Sequence, residues 1–284
     1  MTQQAQAPTG LARRARRISD QETGQRMLQA ALAMVNRSGL TVSLEHISFE
    51  DVIREAGVSR SAVYRRWPYK DLFFSDLVKE LATDTTPDPT GAELELIQRI
   101  IARREDWLRT AQQRHELLLE LFRELALFDF QNVYGSSGWR TYLALHATFL
   151  SLADGKLRDE VQAALAESER RRATRIAAAW AQLTGLFGYR LRPETGADLG
   201  TLATLLSATL RGLVIMALST PGLAGQRLHG SPFGAAAEQE WSLPALGLAS
   251  VATSLLEPDP DVSWDDERVA AVTTALRQLR VPDA

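Results

Sequence analysis

Apolar residues along this chain recur at intervals of three and four almost throughout and rarely alternate, so the pattern predicts helices and few strands. Asp20 to Ser38 carries Met27, Leu28, Ala31, Leu32 and Val35 on one face and is followed by Gly39. A short helix follows Ser48, with Val52, Ile53 and Ala56 to bury. Gly57 suits a left-handed helix end, and Ser59 caps a second short helix in which only Ala62 and Val63 are apolar. Most of that second helix must therefore face outward. Pro68 stops it, and Lys70 opens a helix through Leu72, Phe73, Leu77 and Leu81 to Ala82. Pro87 and Pro89 mark the best domain boundary.

From Gly91 onward Leu94, Ile97, Ile101 and Leu108 mark one helix, and Leu117, Leu118, Leu121, Phe122, Leu125 and Phe128 the next. Trp139 to Leu152, Lys156 to Phe187, and Pro193 to about Ser219 read as three more, and Leu246 to Leu256 and Asp265 to Leu279 as two terminal ones. Between them, residues 220–244 hold Pro221, Gly222, Gly225, Gly230, Pro232, Gly234 and Pro244, the composition of a long mobile loop. The expected fold class is all-α. A basic arm over 1–19 precedes a module over 20–82 and a helical module over 91–284.

Charge divides along the same line. The net charge is −3, yet residues 1–80 carry 12 Lys+Arg against 9 Asp+Glu, leaving an acidic remainder. That asymmetry fits one polyanion-facing module joined to one that a polyanion repels. The chain has no cysteine, which excludes disulfides, thiolate metal sites and cysteine nucleophiles and is consistent with a reducing compartment. The N-terminal arginines precede no apolar run, so a signal peptide is not expected. No segment reaches about 18 uninterrupted apolar residues, the richest being Gly212 to Leu218, so no membrane partner is expected. A cytoplasmic location is the expectation.

The stretch Ile47 to Phe74 packs two short helices, a Gly-containing turn and the start of a third helix into the spacing of a helix-turn-helix. An outer face of arginines, a tyrosine and small hydroxyls suits the DNA major groove, where arginine forks read guanine edges and hydroxyls and lysine hold phosphates. Within it, VIREAGVSRSAVYRRWPYKDLF resembles the DNA-binding domain of the tetracycline-repressor (TetR) family of bacterial transcription regulators. The resemblance rests on Ala56-Gly57-Val58-Ser59 at the turn, Tyr64-Arg65-Arg66-Trp67 at the end of the second helix, and the pair Lys70-Asp71. Trp67 stands where the family more often has phenylalanine. The likeness covers Thr23 to Leu81; later residues match only in helical style, so no pocket residue is carried over. It implies a homodimer on a palindromic or near-palindromic double-stranded operator, released by a small-molecule effector. On this reading Arg60, Ser61, Ala62 and Arg65 touch base edges, while Ser48, Tyr64, Trp67 and Lys70 hold the backbone. Arg13, Arg14, Arg16 and Arg17 either enter the neighbouring minor groove or form a solvated tail.

The second module shows little catalytic chemistry. His115-Glu116 lacks a second histidine at zinc-protease spacing, and there is neither a Gly-rich phosphate loop nor a Gly-x-Ser-x-Gly elbow. No enzyme, metal or cofactor is expected. Trp107, Phe122, Trp139, Tyr142, Phe149 and Trp180, with His146 as the ligand-orienting group, are candidates to line a small apolar or amphipathic effector's pocket, and plain core packing explains them equally well. Leu202, Leu206, Leu210 and Leu213 form a near-heptad stripe that serves either as a dimer interface or as an internal core face. The reading is a ligand-released repressor, with an activator or ligand-independent regulator carrying the same module as the alternative.

Overall fold

The computed structural model describes residues 19–38, 47–84 and 91–277. The basic arm 1–18, including Arg13, Arg14, Arg16 and Arg17, and the linker 40–46 lie outside the described residues. The chain is mostly helical: α1 (Asp20–Ser38), α2 (Phe49–Ala56), α3 (Arg60–Arg66), α4 (Lys70–Asp84), α5 (Gly91–Ala102), α6 (Ala111–Gly135), α7 (Ser137–Ser151), α8 (Lys156–Phe187), α9 (Leu199–Ser219), the one-turn α10 (Gly222–Gly225), α11 (Leu243–Leu255) and α12 (Asp266–Arg277). Four short strands, β1 (Tyr189–Leu191), β2 (Arg227–Gly230), β3 (Gln239–Ser242) and β4 (Leu256–Pro258), form two antiparallel pairs, β1 with β4 and β2 with β3.

Local chemistry sets the helix ends. The Ser48 hydroxyl accepts from the Asp51 backbone N–H and that of Ser59 from Ala62, each satisfying one orphan donor. Gly57 sits at φ 63° between α2 and α3, a conformation that costs any residue with a Cβ. Thr110 and Gln113 form a full capping box on α6, and the Asp198 carboxylate caps α9 through Thr201. Gly188, also left-handed, ends α8, and the indole of Trp264 lies where its Cβ would stand, 2.9 Å away.

The first core gathers Met27, Ala31 and Val35 of α1, Val52 and Ile53 of α2, Val63 of α3, and Phe73, Leu77 and Leu81 of α4. It does not close on itself. Leu145 of α7 and Val161 and Leu165 of α8 belong to the same buried cluster, so the N-terminal helices share an apolar wall with the C-terminal module. Lys79 of α4 also reaches Glu160 of α8 at 3.2 Å. A second core joins α6, α9 and α11 around Trp241, and a third joins α5, α6, the end of α8, and α12.

Two expectations are corrected here. The stretch 220–244 is not an unstructured loop: it holds α10, the β2–β3 hairpin and a short 3-10 turn over Pro232–Gly234. Side chains of α6 hold it. His115 contacts the Phe233 carbonyl at 2.7 Å and the Tyr189 hydroxyl at 2.9 Å, Gln112 donates to the Gly234 carbonyl, and Glu116 accepts from the Ala236 N–H. Phe233 adopts φ 61°, an uncommon conformation for a non-glycine residue. The second correction concerns the leucine stripe. Leu202 and Leu206 are buried within the chain's own second core, and Leu210 and Leu213 are half-buried beside it, so this stripe is an internal face. The exposed apolar side of α9 is the opposite one, with Leu205, Ile215, Met216 and Leu218.

α9 is long and apolar enough to cross a membrane, with a mean hydropathy of 1.7 over an 18-residue stretch of which 28% is buried. Counting uninterrupted residues missed this because Arg211 and several Thr and Ser residues break the run.

Candidate nucleic-acid interface and the helical module

On α3, Arg60, Ser61, Tyr64, Arg65 and Arg66 are all exposed, and Ser48 and Lys70 flank them in solvent. Ala62 is half-buried, with its backbone N–H engaged by Ser59. Tyr69 at 74% and Leu72 at 48% exposure extend the same neighbourhood.

Trp67 departs from its expected role. It is 2% exposed, packs edge-on against Phe73 at 5.1 Å, and its indole N–H donates to Asp76 at 2.9 Å. No donor remains for a phosphate, so Trp67 seats α3 on α4 instead. Burial alone would raise the Asp76 carboxyl, but the hydrogen bonds from Lys79 and Trp67 outweigh it and hold the group below its ordinary value.

Sequence reasoning missed the acidic residues of this face. The Glu50 carboxylate on α2 takes the Tyr64 hydroxyl at 3.0 Å and the Arg60 guanidinium at 2.6 Å, so one side chain aims both. That hydrogen bond is also the largest reason the Tyr64 hydroxyl stands above its ordinary value. Asp20 on α1 holds Arg66 at 2.8 Å, with Arg65 at 3.8 Å, and the Arg66 side chain lies over Gly24, where a Cβ would meet it at 2.9 Å. The exposed ion pair of Arg60 with Glu50 is worth only ~0.2–1 kcal/mol, so a stronger partner can draw the guanidinium away. If this face binds a duplex, Glu50→Gln should bind unrelated DNA roughly up to fivefold more tightly, because a charge facing phosphates is removed. The operator-to-unrelated ratio should fall, because Arg60 and Tyr64 lose their guide; gel shifts on both DNAs read this, and an unchanged ratio would exclude a guiding role.

The aromatic candidates of the second module do not converge. Phe122 stacks on Trp180 in the second core at 5.1 Å, Trp107 packs with the third, and Phe149 lies against the first beneath Arg158. Trp139, Tyr142 and His146 do meet, with Tyr142 against Trp139 at 4.9 Å and His146 at 4.2 Å. They enclose no described cleft; they wrap a polar cluster. Arg211 of α9 donates to the Tyr142 hydroxyl at 2.8 Å and pairs with Glu169 of α8 at 2.8 Å, while the Tyr142 hydroxyl donates to Glu169. Burial, and secondarily the bond to Glu169, pushes the Tyr142 hydroxyl up. Arg172, over the Trp139 ring at 4.7 Å, is lowered to about 10 by burial first and by Arg211 second. His146 spends Nδ1 on the Tyr142 carbonyl of its own helix at 3.0 Å, which ties it to α7 rather than to a ligand. The expected seven-residue pocket is therefore replaced by four separate packing sites.

Two clefts lie elsewhere. One, of about 370 Å³, lies between α5 and α6 and is lined by Leu96, Arg99, Ile100, Arg103, Arg104, Glu120, Arg123 and Glu124. The other, about 620 Å³ and more open, runs between α8 and α9 along Ala173, Thr174, Ala177, Thr201, Thr204 and Leu205.

On α6, burial and then the charge of Glu93 push the half-buried Asp129 carboxyl up to about 8. A carboxyl raised in the folded state holds a proton there that the unfolded chain has lost, so between its ordinary value of about 4 and about 8 stability falls as pH rises. Thermal melts should therefore drop from about pH 5 to about pH 8, by less than full burial would give, and Asp129→Asn should flatten the curve. An identical slope in the variant would remove Asp129 from the account.

Among the described residues no group of three or more His, Cys, Asp or Glu side chains could hold a metal ion. No family model matches the chain, and no curated protein is significantly similar to it.

Proposed function

We propose that the chain is a ligand-responsive, DNA-binding transcription regulator of the tetracycline-repressor type, acting as a homodimer and most simply as a repressor. The observation that carries this reading is the single exposed face on which α3 displays Arg60, Ser61, Tyr64 and Arg65, on a helix seated by Val63 and Trp67. The helix-turn-helix reading of α2, Gly57 and α3, with α4 leading towards an effector-binding and dimerising module, draws on the motif in Val52 to Phe73. Arg60 and Arg65 then read base edges, and Ser48, Tyr64 and Lys70 hold phosphates. Gel shifts of the full chain against DNA upstream of its own and neighbouring genes test this; binding that does not distinguish those fragments from unrelated duplex would overturn it.

Two half-sites one helical turn apart need two reading heads. The exposed side of α9, with Leu205 43%, Ile215 51% and Met216 54% accessible, supports a second copy as the covering partner, and the open α8–α9 cleft continues that surface. Ile215→Glu combined with Leu205→Glu should shift the protein from dimer to monomer in sedimentation and weaken operator binding in step. An unchanged sedimentation coefficient would place the interface elsewhere.

A further inference from the structure

The cleft between α5 and α6 has an uneven charge inventory. Arg123 uses both of the cleft's acids, taking Glu120 through Nε and through its terminal nitrogen at 2.9 Å, and Glu124 at 2.9 Å. Across from it stand Arg99, Arg103 and Arg104, and among the described residues no carboxylate lies within ion-pair distance of their guanidiniums. Arg104 is partly anchored, with its guanidinium over the Trp107 ring at 4.3 Å. Arg103 lies just past the end of α5, its N–H still donating to the Arg99 carbonyl at 3.3 Å, so the two like charges stand one turn apart and repel, and neither is buried. The floor is apolar: Ile100 is 4% exposed and Leu96 half-buried. Three cations without a carboxylate partner among the described residues, above an apolar floor in a concavity of about 370 Å³, make a basin of positive potential in a module whose overall charge is acidic.

We propose that this cleft binds a small organic anion, its carboxylate or phosphate head held by Arg99, Arg103 and Arg104 and its short carbon chain laid along Leu96 and Ile100. The chemistry is specific to guanidinium. Each arginine presents a planar fork that matches the two oxygens of such a head, and the ligand supplies the negative charge that the cleft's own glutamates, held by Arg123, do not. The volume lies within the range of small-molecule sites. Only the role of this anion as effector rests on the regulator reading above. α5 shares the third core with the end of α8, and α8 shares the first core with α4, so an anion that braces α5 favours one pose of the helix that seats α3, and it shifts the population only by its preference for that pose.

Calorimetry on the full chain without DNA tests the site, using octanoate and octyl phosphate as probes with octanol and octylamine as controls, all at constant ionic strength. Saturable binding of one of the two anions per chain is expected, with neither control competing. Arg99→Gln combined with Arg103→Gln should weaken the anion by about tenfold or more, each lost charge-assisted contact contributing its share. Arg123→Gln, which frees Glu120 and Glu124 to face the three cations, should weaken it as well, and circular dichroism confirms that each variant is folded. Octanol binding as well as octanoate, no saturable anion binding, or full affinity in the double arginine variant would each overturn the proposal. A gel shift with and without octanoate is read separately, so anion binding that leaves DNA binding unaltered removes the effector role alone, and a chain that binds no DNA in the absence of octanoate removes the regulator reading alone.

Discussion

Arg60→Ala and Arg65→Ala should each weaken operator binding by ~1–3 kcal/mol, about 5- to 150-fold, while leaving the protein folded. Both side chains are largely solvent-exposed, at 72% and 61%, and their present partners, Glu50 and Asp20, are exposed carboxylates that a guanine edge can outcompete. The double variant should approach the affinity of the wild type for unrelated DNA. Gel shifts at fixed salt measure this, with Arg37→Ala as control, because Arg37 pairs with Glu55 away from α3. Full-strength operator binding by both single variants would contradict the base-contact assignment. Lys70→Ala should instead weaken all DNA alike and shallow the dependence on salt, the mark of a phosphate contact.

Trp67→Ala should cost about 3–5 kcal/mol of stability in urea unfolding, the range for emptying a buried tryptophan site. The indole is buried against Phe73, and its N–H satisfies Asp76, so truncation leaves both a cavity and an acid short of a donor. Trp67→Phe separates the two effects. It keeps most of the packing and loses the donor, so it should cost roughly 1–3 kcal/mol while DNA affinity of the folded fraction stays close to wild type. A large loss of DNA affinity in a fully folded Trp67→Phe variant would restore the phosphate role.

What could be read from the chain was what short-range chemistry decides. Ser48, Gly57 and Ser59 act on backbone groups within three residues, and the ends of α1 at Asp20 and Ser38 and of α8 at Lys156 and Phe187 follow from local signals of the same reach. The side of α9 that faces inward was not legible. Large apolar residues stand on opposed sides of it, so a heptad count finds Leu202 and Leu206 and the opposed Leu205 and Ile215 with equal ease, and only the packing of α6, α8 and α11 chooses between them. Residues 220–244 misled for a related reason. Glycine and proline there read as a loop, but the order comes from His115 and Glu116, more than a hundred positions earlier in the chain. The aromatic candidates shared a helical pattern, but three different cores took Phe149, Phe122 with Trp180, and Trp107, and only Trp139, Tyr142 and His146 came together. At the candidate DNA face the arginines were conspicuous in the sequence, whereas Glu50 and Asp20, which decide where those arginines point, look like ordinary first-turn acids.

The wall shared by α4, α7 and α8 bears on how the two ends of the molecule communicate. Because Leu77 and Leu81 lie in one cluster with Leu145, Val161 and Leu165, a shift of α8 is transmitted sideways through touching side chains and does not have to travel along the covalent tether at 85–90. On the proposed reading, lengthening that tether with inserted glycines would leave an effector's influence on DNA binding intact, whereas shrinking Leu145 or Leu165 would weaken it.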